Sequence, residues 1–333
     1  MTDRPATPVR QATLDEIPVI DIAPLLDNTP GGLEAVAAAI GQACRGIGFF
    51  YLRGHGVAPA MVAGVMDDAK TFFALPTEAK QPLSIENSSQ NRGYVALGRE
   101  NLDPSQPADR KEAFNIGLDL APDDPEILAG VRFRGVNKWP DLPGWRARMV
   151  GYHGTLTRLC VRLHEAFAHD LGVPASIFTD VMDRPIVHLR LLHYPAETQT
   201  GVASRPIGAG AHSDYGNITL LVTDGTPGLE VKTRSGEWVA APHIPDTFVC
   251  NIGDMLMRWS NDTYVSTPHR VVNRAGLERY SAALFFEPNP DAMVACLPSC
   301  QSPDNPPRYA PVSCADYLAS RLAAAYDHIQ SEP

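Results

Sequence analysis

The fold class the sequence predicts is mainly β with flanking helices, its core an antiparallel β barrel or double sheet. Two observations carry this. Beyond Val187 the chain breaks into short β-branched and apolar runs at 188–194, 217–223, 229–233, 238–242, 247–253, 269–274 and 279–287, separated by Gly, Pro and Asp turns. These runs stand too close together for helices to intervene, which argues against parallel βαβ units in this half.

The first half alternates differently. Ile17 to Ile22 reads as a short strand, an Ala-rich helical stretch runs from Leu33 to Cys44, and Gly48 to Leu52 is a compact β run closed by the turn Arg53-Gly-His-Gly56. Pro59 opens a helix through Leu75, after which Pro76 and residues 77–80 lead into an irregular polar region. From Pro140 to Leu171, residues Leu156, Leu159, Cys160, Leu163, Phe167 and Leu171 recur at helical steps and predict the longest helix. A last helix is expected over residues 313–329, with Tyr317, Leu318, Leu322 and Tyr326 at helical spacing. The expected organisation is an N-terminal α/β region, 1–135, packed on a core of residues 136–333 as one compact body.

Composition narrows the function. Hydrophobic residues make up 44% and charged residues 20%, the balance of a globular chain. No apolar run is long enough to span a membrane, and the polar N-terminus lacks a secretory h-region, so the cytoplasm is the expected location. A formal charge of −10 without a dense basic block argues against nucleic acid and anionic membranes, and nothing points to an obligate protein partner; a small molecule is the expected ligand. The six cysteines are scattered, which reads as reduced, mostly buried thiols.

The chemistry-bearing residues lie in the β half. His212 and Asp214 are two apart, so in extended chain both side chains face the same way and reach one metal. A third ligand is expected from His269, 55 residues after Asp214, the separation a sheet needs to fold back on itself. Two imidazoles and one carboxylate on one face of an octahedron leave three positions open and suit Fe(II) oxygenases. Zinc hydrolases and isomerases use similar donors but usually want a Glu base nearby, and Ser213 and Tyr215 supply none. Arg279 and Ser281 share a strand face and form a grip for one carboxylate, such as the far end of a dicarboxylic co-substrate. His153, His164 and His169 are read as surface or packing residues, and His55 as structural.

These residues sit in a series of motifs: Ile17-Pro-Val-Ile-Asp21, Gly46 to Gly56, Lys111-Glu-Ala-Phe114, Asn137-Lys-Trp-Pro140, Tyr194-Pro195, His212-Ser-Asp214, Gly228-Leu-Glu-Val231, Asn251-Ile-Gly-Asp254, His269-Arg-Val-Val272 and Arg279-Tyr-Ser281. In that order the chain resembles the 2-oxoglutarate/Fe(II)-dependent dioxygenase superfamily, in its isopenicillin N synthase-like branch, over nearly its whole length. The resemblance implies a double-stranded β-helix, or distorted jelly roll, with Fe(II) on His212, Asp214 and His269. It also implies 2-oxoglutarate on Arg279 and Ser281 with Tyr194 in contact, O2 as oxidant, and release of succinate and CO2 as a small molecule is oxidised, most simply hydroxylated. Residues 189–196 and 258–262 look especially like microbial and fungal members, nucleobase-oxidising ones such as thymine hydroxylase among them.

Arg190 shares a strand face with Tyr194, so it is expected to meet either substrate or co-substrate, or else an internal carboxylate. Tyr215, Phe285, Tyr94 and Phe114 are candidates for the pocket wall. Two other functions stay open at this point: an Fe(II) oxidase of the same fold that omits 2-oxoglutarate, and a zinc-dependent hydrolase or isomerase on a β barrel.

Overall fold

The structure is a computed structural model that describes residues 9–88, 90–102, 108–196, 207–273 and 277–326. Its strands are β1 (Val19–Asp21), β2 (Phe49–Arg53), β3 (Gly93–Val95), β4 (Glu112–Ile116), β5 (Ile186–Tyr194), β6 (Ile207–His212), β7 (Ile218–Thr223), β8 (Leu229–Lys232), β9 (Trp238–Ala240), β10 (Phe248–Ile252), β11 (His269–Val272) and β12 (Arg279–Glu287). The longer helices are α1 (Gly32–Gly46), α2 (Pro59–Phe73) and α3 (Trp145–Asp170), followed by the short α4 (Asp254–Trp259) and the C-terminal α5 (Cys314–Tyr326).

An eight-stranded sheet in the order β1-β2-β10-β7-β12-β5-β4-β3 lies opposite a four-stranded sheet in the order β6-β11-β8-β9. All neighbours run antiparallel except β1 and β2. This is the double-stranded β-helix expected from the motifs.

Alternation along β5 and β12 sorts two interiors. Leu189, Leu191, Ala282, Leu284 and Phe286 face the helices, where they join Trp145, Met149, Leu156 and Phe167 of α3 in the main core. Leu192, Tyr194 and Ala283 face the other way and meet Ala209 and Val271 of the small sheet. Helix α3 buries Leu156, Leu159, Cys160, Leu163 and Phe167, the stripe its periodicity marked.

Two regions depart from the sequence reading. The supposedly irregular stretch after Pro76 contains β3 and β4, which extend the large sheet at one edge. All five residues of β4 are buried, Glu112 and Asn115 included. A strand that buries polar groups against internal partners has no hydropathy signature. Glu112 accepts hydrogen bonds from Lys80 Nζ at 2.8 Å and Tyr94 Oη at 2.6 Å and contacts His193 Nδ1 at 2.8 Å. Likewise Gly208 and Gly210, poor strand formers, belong to β6. Every cysteine is unbridged, and all but the half-buried Cys296 are buried.

Candidate metal centre and its cleft

The small sheet makes the centre. Register sets His269, at the start of β11, directly opposite His212, at the end of β6, and their rings lie 4.4 Å apart. Asp214 follows two residues later, its Oδ1 3.8 Å from His212 Nε2 and 3.6 Å from His269 Nε2. One donor atom from each of the three residues lies within 4.8 Å of the others. Among the described residues, no other group of three such side chains converges in this way.

Hydrogen bonds aim these atoms. His212 Nδ1 donates to the Gly210 carbonyl at 2.7 Å and His269 Nδ1 to the Thr267 carbonyl at 3.2 Å, so each Nε2 presents its lone pair. Asp214 Oδ2 accepts from Thr219 Oγ1 at 2.5 Å and Asn251 Nδ2 at 2.7 Å, which leaves Oδ1 toward the histidines. Burial and the adjacent His269 hold the His212 ring well below the usual imidazole range. Burial pushes the Asp214 carboxyl up, but the two imidazoles and the bonds from Asn251 and Thr219 outweigh it and keep the carboxyl ionised. Two imidazoles and a carboxylate, each fixed by a second partner, are a donor set that fits a divalent iron ion.

The loop bearing Asp214 is clamped by the chain entering α4. Asp254 N–H donates to the Asp214 carbonyl at 2.7 Å, and Gly253 N–H to the Asn217 carbonyl at 2.9 Å. A Cβ on Gly253 would stand 2.3 Å from the Gly216 carbonyl oxygen, so this approach requires glycine. The motif Asn251-Ile-Gly-Asp254 thus supports the metal ligand from one side; its order was visible in the sequence, its task was not.

The large sheet faces this centre with Arg279 and Ser281 of β12 and Tyr194 of β5, and all three line one cavity with His212, Asp214 and His269. Arg279 is buried and pairs across the sheet with Tyr194, its guanidinium 4.9 Å from that ring. Its Nη1 donates to Ser281 Oγ at 3.3 Å, its Nε has no partner, and no carboxylate among the described residues neutralises it.

A second cleft opens beside His212 and Asp214, lined by Asn115, His188, Arg190, Tyr215, Phe285 and the C-terminal helix residues Leu318 and Leu322, among others. Arg190 faces it but binds Glu100, so the internal salt bridge is realised at the cleft wall. Glu100 also meets Lys111 at 3.4 Å, Lys111 meets Asp109 at 2.6 Å, and Asp109 Oδ1 accepts from Gly210 N–H at 2.9 Å, two residues before His212. This buried ionic chain went unread in the sequence, although Lys111 begins one of its motifs.

Tyr215 and Phe285 stand in the cleft wall. Tyr94 and Phe114 do not: they oppose one another across β3 and β4 on the helix side of the large sheet, where Phe114 packs against Phe72 and Trp145. Strand parity decides this, because Phe114 pairs with Leu191 while Ala113 and Asn115 turn inward with Leu192 and Arg190. His153 and His164 are buried packing residues, and His55 accepts a turn hydrogen bond from Val57 N–H at 3.1 Å.

Comparison with known proteins agrees with this geometry. Residues 185–288 match the 2OG-Fe(II) oxygenase superfamily, and residues 17–142 match the non-haem dioxygenase in morphine synthesis N-terminal family. The 2-oxoglutarate-Fe(II) type oxidoreductase hxnY of Emericella nidulans is 32% identical over 319 residues, 94% of this chain and 91% of that protein. The chain belongs to the 2-oxoglutarate/Fe(II)-dependent oxygenase superfamily. Homoarginine-6-hydroxylase 2-ODD-233 of Oryza sativa subsp. japonica is 38% identical to this oxygenase over 297 residues, covering 86% and 89% of the two chains. The crystal structure of Neurospora crassa T7H in complex with alpha-KG and thymine superposes with a TM-score of 0.80 at 32% identity, covering 95% of this chain and 99% of that one. The oxygenase uses Fe(II) and 2-oxoglutarate to oxidise a small molecule. Among its described residues no helix is long and apolar enough to cross a membrane.

Proposed function

We propose that this oxygenase hydroxylates a small planar molecule, with His212, Asp214 and His269 holding Fe(II), and with Arg279, Ser281 and Tyr194 holding the far carboxylate of 2-oxoglutarate. When bound, Fe(II) and 2-oxoglutarate supply the oxidising chemistry: O2 and 2-oxoglutarate become succinate and CO2 while one oxygen atom enters a substrate C–H bond. The protein's part is positioning and the exclusion of water.

The observation that carries this reading is Arg279. A buried guanidinium without a counter-ion is costly, and a ligand carboxylate in the cavity that also contains the metal residues relieves the cost. It also favours a 2-oxoglutarate-dependent reaction over an oxidase of the same fold that dispenses with the co-substrate. Of the described glutamates lining the cleft, Glu100 is bound to Arg190 and Lys111, which opposes its use as the base a zinc hydrolase employs, and burial and Asp214 push the Glu287 carboxyl well up.

For the substrate, Tyr215 and Phe285 provide apolar ring surface in the cleft, and a relative of similar shape, Neurospora crassa T7H, was solved with thymine. The acidic chain carries no basic tract suited to nucleic acid, which supports a free small molecule and a protein that needs no obligate partner. The test is succinate release under Fe(II), O2 and 2-oxoglutarate across a panel of small planar metabolites. One or more should stimulate it and gain an oxygen atom, and none should turn over when zinc replaces iron. Turnover with zinc and without O2 would reject the reading.

A further inference from the structure

The cleft holds a polar device that neither iron nor 2-oxoglutarate uses. His188 lies in β5 directly opposite Phe285 of β12 and lines the cleft wall. Its Nε2 is 2.8 Å from Nη1 of Arg92. A guanidinium only donates, so Nε2 must be the acceptor and the ring proton must sit on Nδ1. Nδ1 has no hydrogen-bond partner among the described residues.

Arg92 is itself unusual. It is 2% exposed, donates to the carbonyls of Gln90 at 2.8 Å and Phe133 at 2.9 Å, leaves Nε unpartnered, and meets no carboxylate among the described residues. Even with burial and the nearby Arg134 lowering it to about 10, the group is charged at neutral pH. Gly117 makes the room, since a Cβ there would stand 2.1 Å from Arg92 Nη2. A buried cation bonded only to neutral acceptors polarises the ring in front of it. Of the other charged groups on this wall, Arg190 is paired with Glu100, which also meets Lys111, Asp214 belongs to the metal centre, and Glu287 lies beside Asp214, with burial and that neighbour pushing its carboxyl up.

We propose that His188, locked by Arg92 as the Nδ1–H tautomer, is the donor that selects the primary substrate, and that this substrate presents a carboxylate or carbonyl oxygen to it. The inference rests on the oxygenase reading of the cleft and narrows its substrate class to planar molecules with an oxygen acceptor. His188 orients the substrate and takes no part in the proton or electron movements of the reaction.

Two measurements on the full chain loaded with Zn(II) and 2-oxoglutarate test it. The first is 15N NMR of the ring, assigned by its loss in His188→Phe: a protonated Nδ1 and an unprotonated Nε2 are expected, and the opposite tautomer overturns the proposal. The second is the affinity for benzoate, benzamide and toluene as matched probes. The acid and amide are expected to bind at least about ten-fold better than toluene, the usual worth of a hydrogen bond from a polarised donor. His188→Phe should erase that preference, and His188→Asn, whose amide nitrogen can take the place of Nδ1, should restore part of it. Equal binding of the three probes, absence of binding by all of them, or a preference that survives His188→Phe overturns the proposal. Retention of 2-oxoglutarate by His188→Phe separates that failure from failure of the oxygenase reading, in which 2-oxoglutarate would not bind the parent protein.

Discussion

At the scale of single residues, the centre is built so that each ligand has one atom for the metal and another for the protein. Asp214 shows the division best, because Thr219 and Asn251 occupy Oδ2 and leave Oδ1 free. Asn251→Ala should therefore keep all three ligands and still weaken Fe(II) by about 10- to 100-fold, the usual cost of losing a partner behind a metal ligand. Anaerobic iron titration against the parent protein measures it, and an unchanged affinity would show that Thr219 alone fixes the carboxylate. Arg279→Ala should lose roughly 1.5 to 3 kcal/mol of 2-oxoglutarate affinity while iron binding stays within error. The ligands were legible in the sequence because spacing and residue type report them. Asn251, Thr219, Lys111 and His188 were not: their roles depend on which strand lies alongside, and an isolated polar residue in a strand does not announce its partner.

At the scale of elements, strand parity settles what composition leaves open. Tyr94 and Phe114 carry the aromatic character expected of a pocket wall, but one residue of register assigns them to the helix-facing core. β6 is the converse case. Its glycines weaken it as a strand by propensity, yet they permit the close approach of the two sheets: a Cβ on Gly208 would come within 2.6 Å of Tyr194 Cδ1. Tyr194 in turn lies against the Arg279 guanidinium. Gly208→Val should displace that ring and weaken 2-oxoglutarate by about 1 to 3 kcal/mol, the range typical of overpacking, with a much smaller effect on iron. Parallel titrations with Fe(II) and with 2-oxoglutarate check this; an equal loss of both would mean that the small sheet, and not the tyrosine, had moved.

At the scale of the whole molecule, burial of neutral histidines in the helix-facing core ties stability to pH. Burial lowers His153 and His164 from 6.5 to about 4 each, with weaker opposing contributions from the Val187 and Cys160 carbonyls they bond. Between those values the unfolded chain binds protons that the folded chain refuses, so stability is complete above pH 6.5 and declines as pH falls toward 4. Each histidine accounts for about 3 kcal/mol across that window at the usual 1.36 kcal/mol per pH unit. Glu287 acts in the opposite sense, since burial and Asp214 raise its carboxyl, and acid relieves the cost of ionising it. That offsets part of the histidines' effect, while His188, pushed down by burial and by Arg92, adds to it. The unfolding midpoint of metal-free protein should accordingly drop as pH is lowered from 6.5 to 4.5, and His164→Gln should make the slope shallower. A midpoint that holds level or rises over that interval would mean that these rings are already protonated within the fold, and the packing of α3 against the large sheet would then need another explanation.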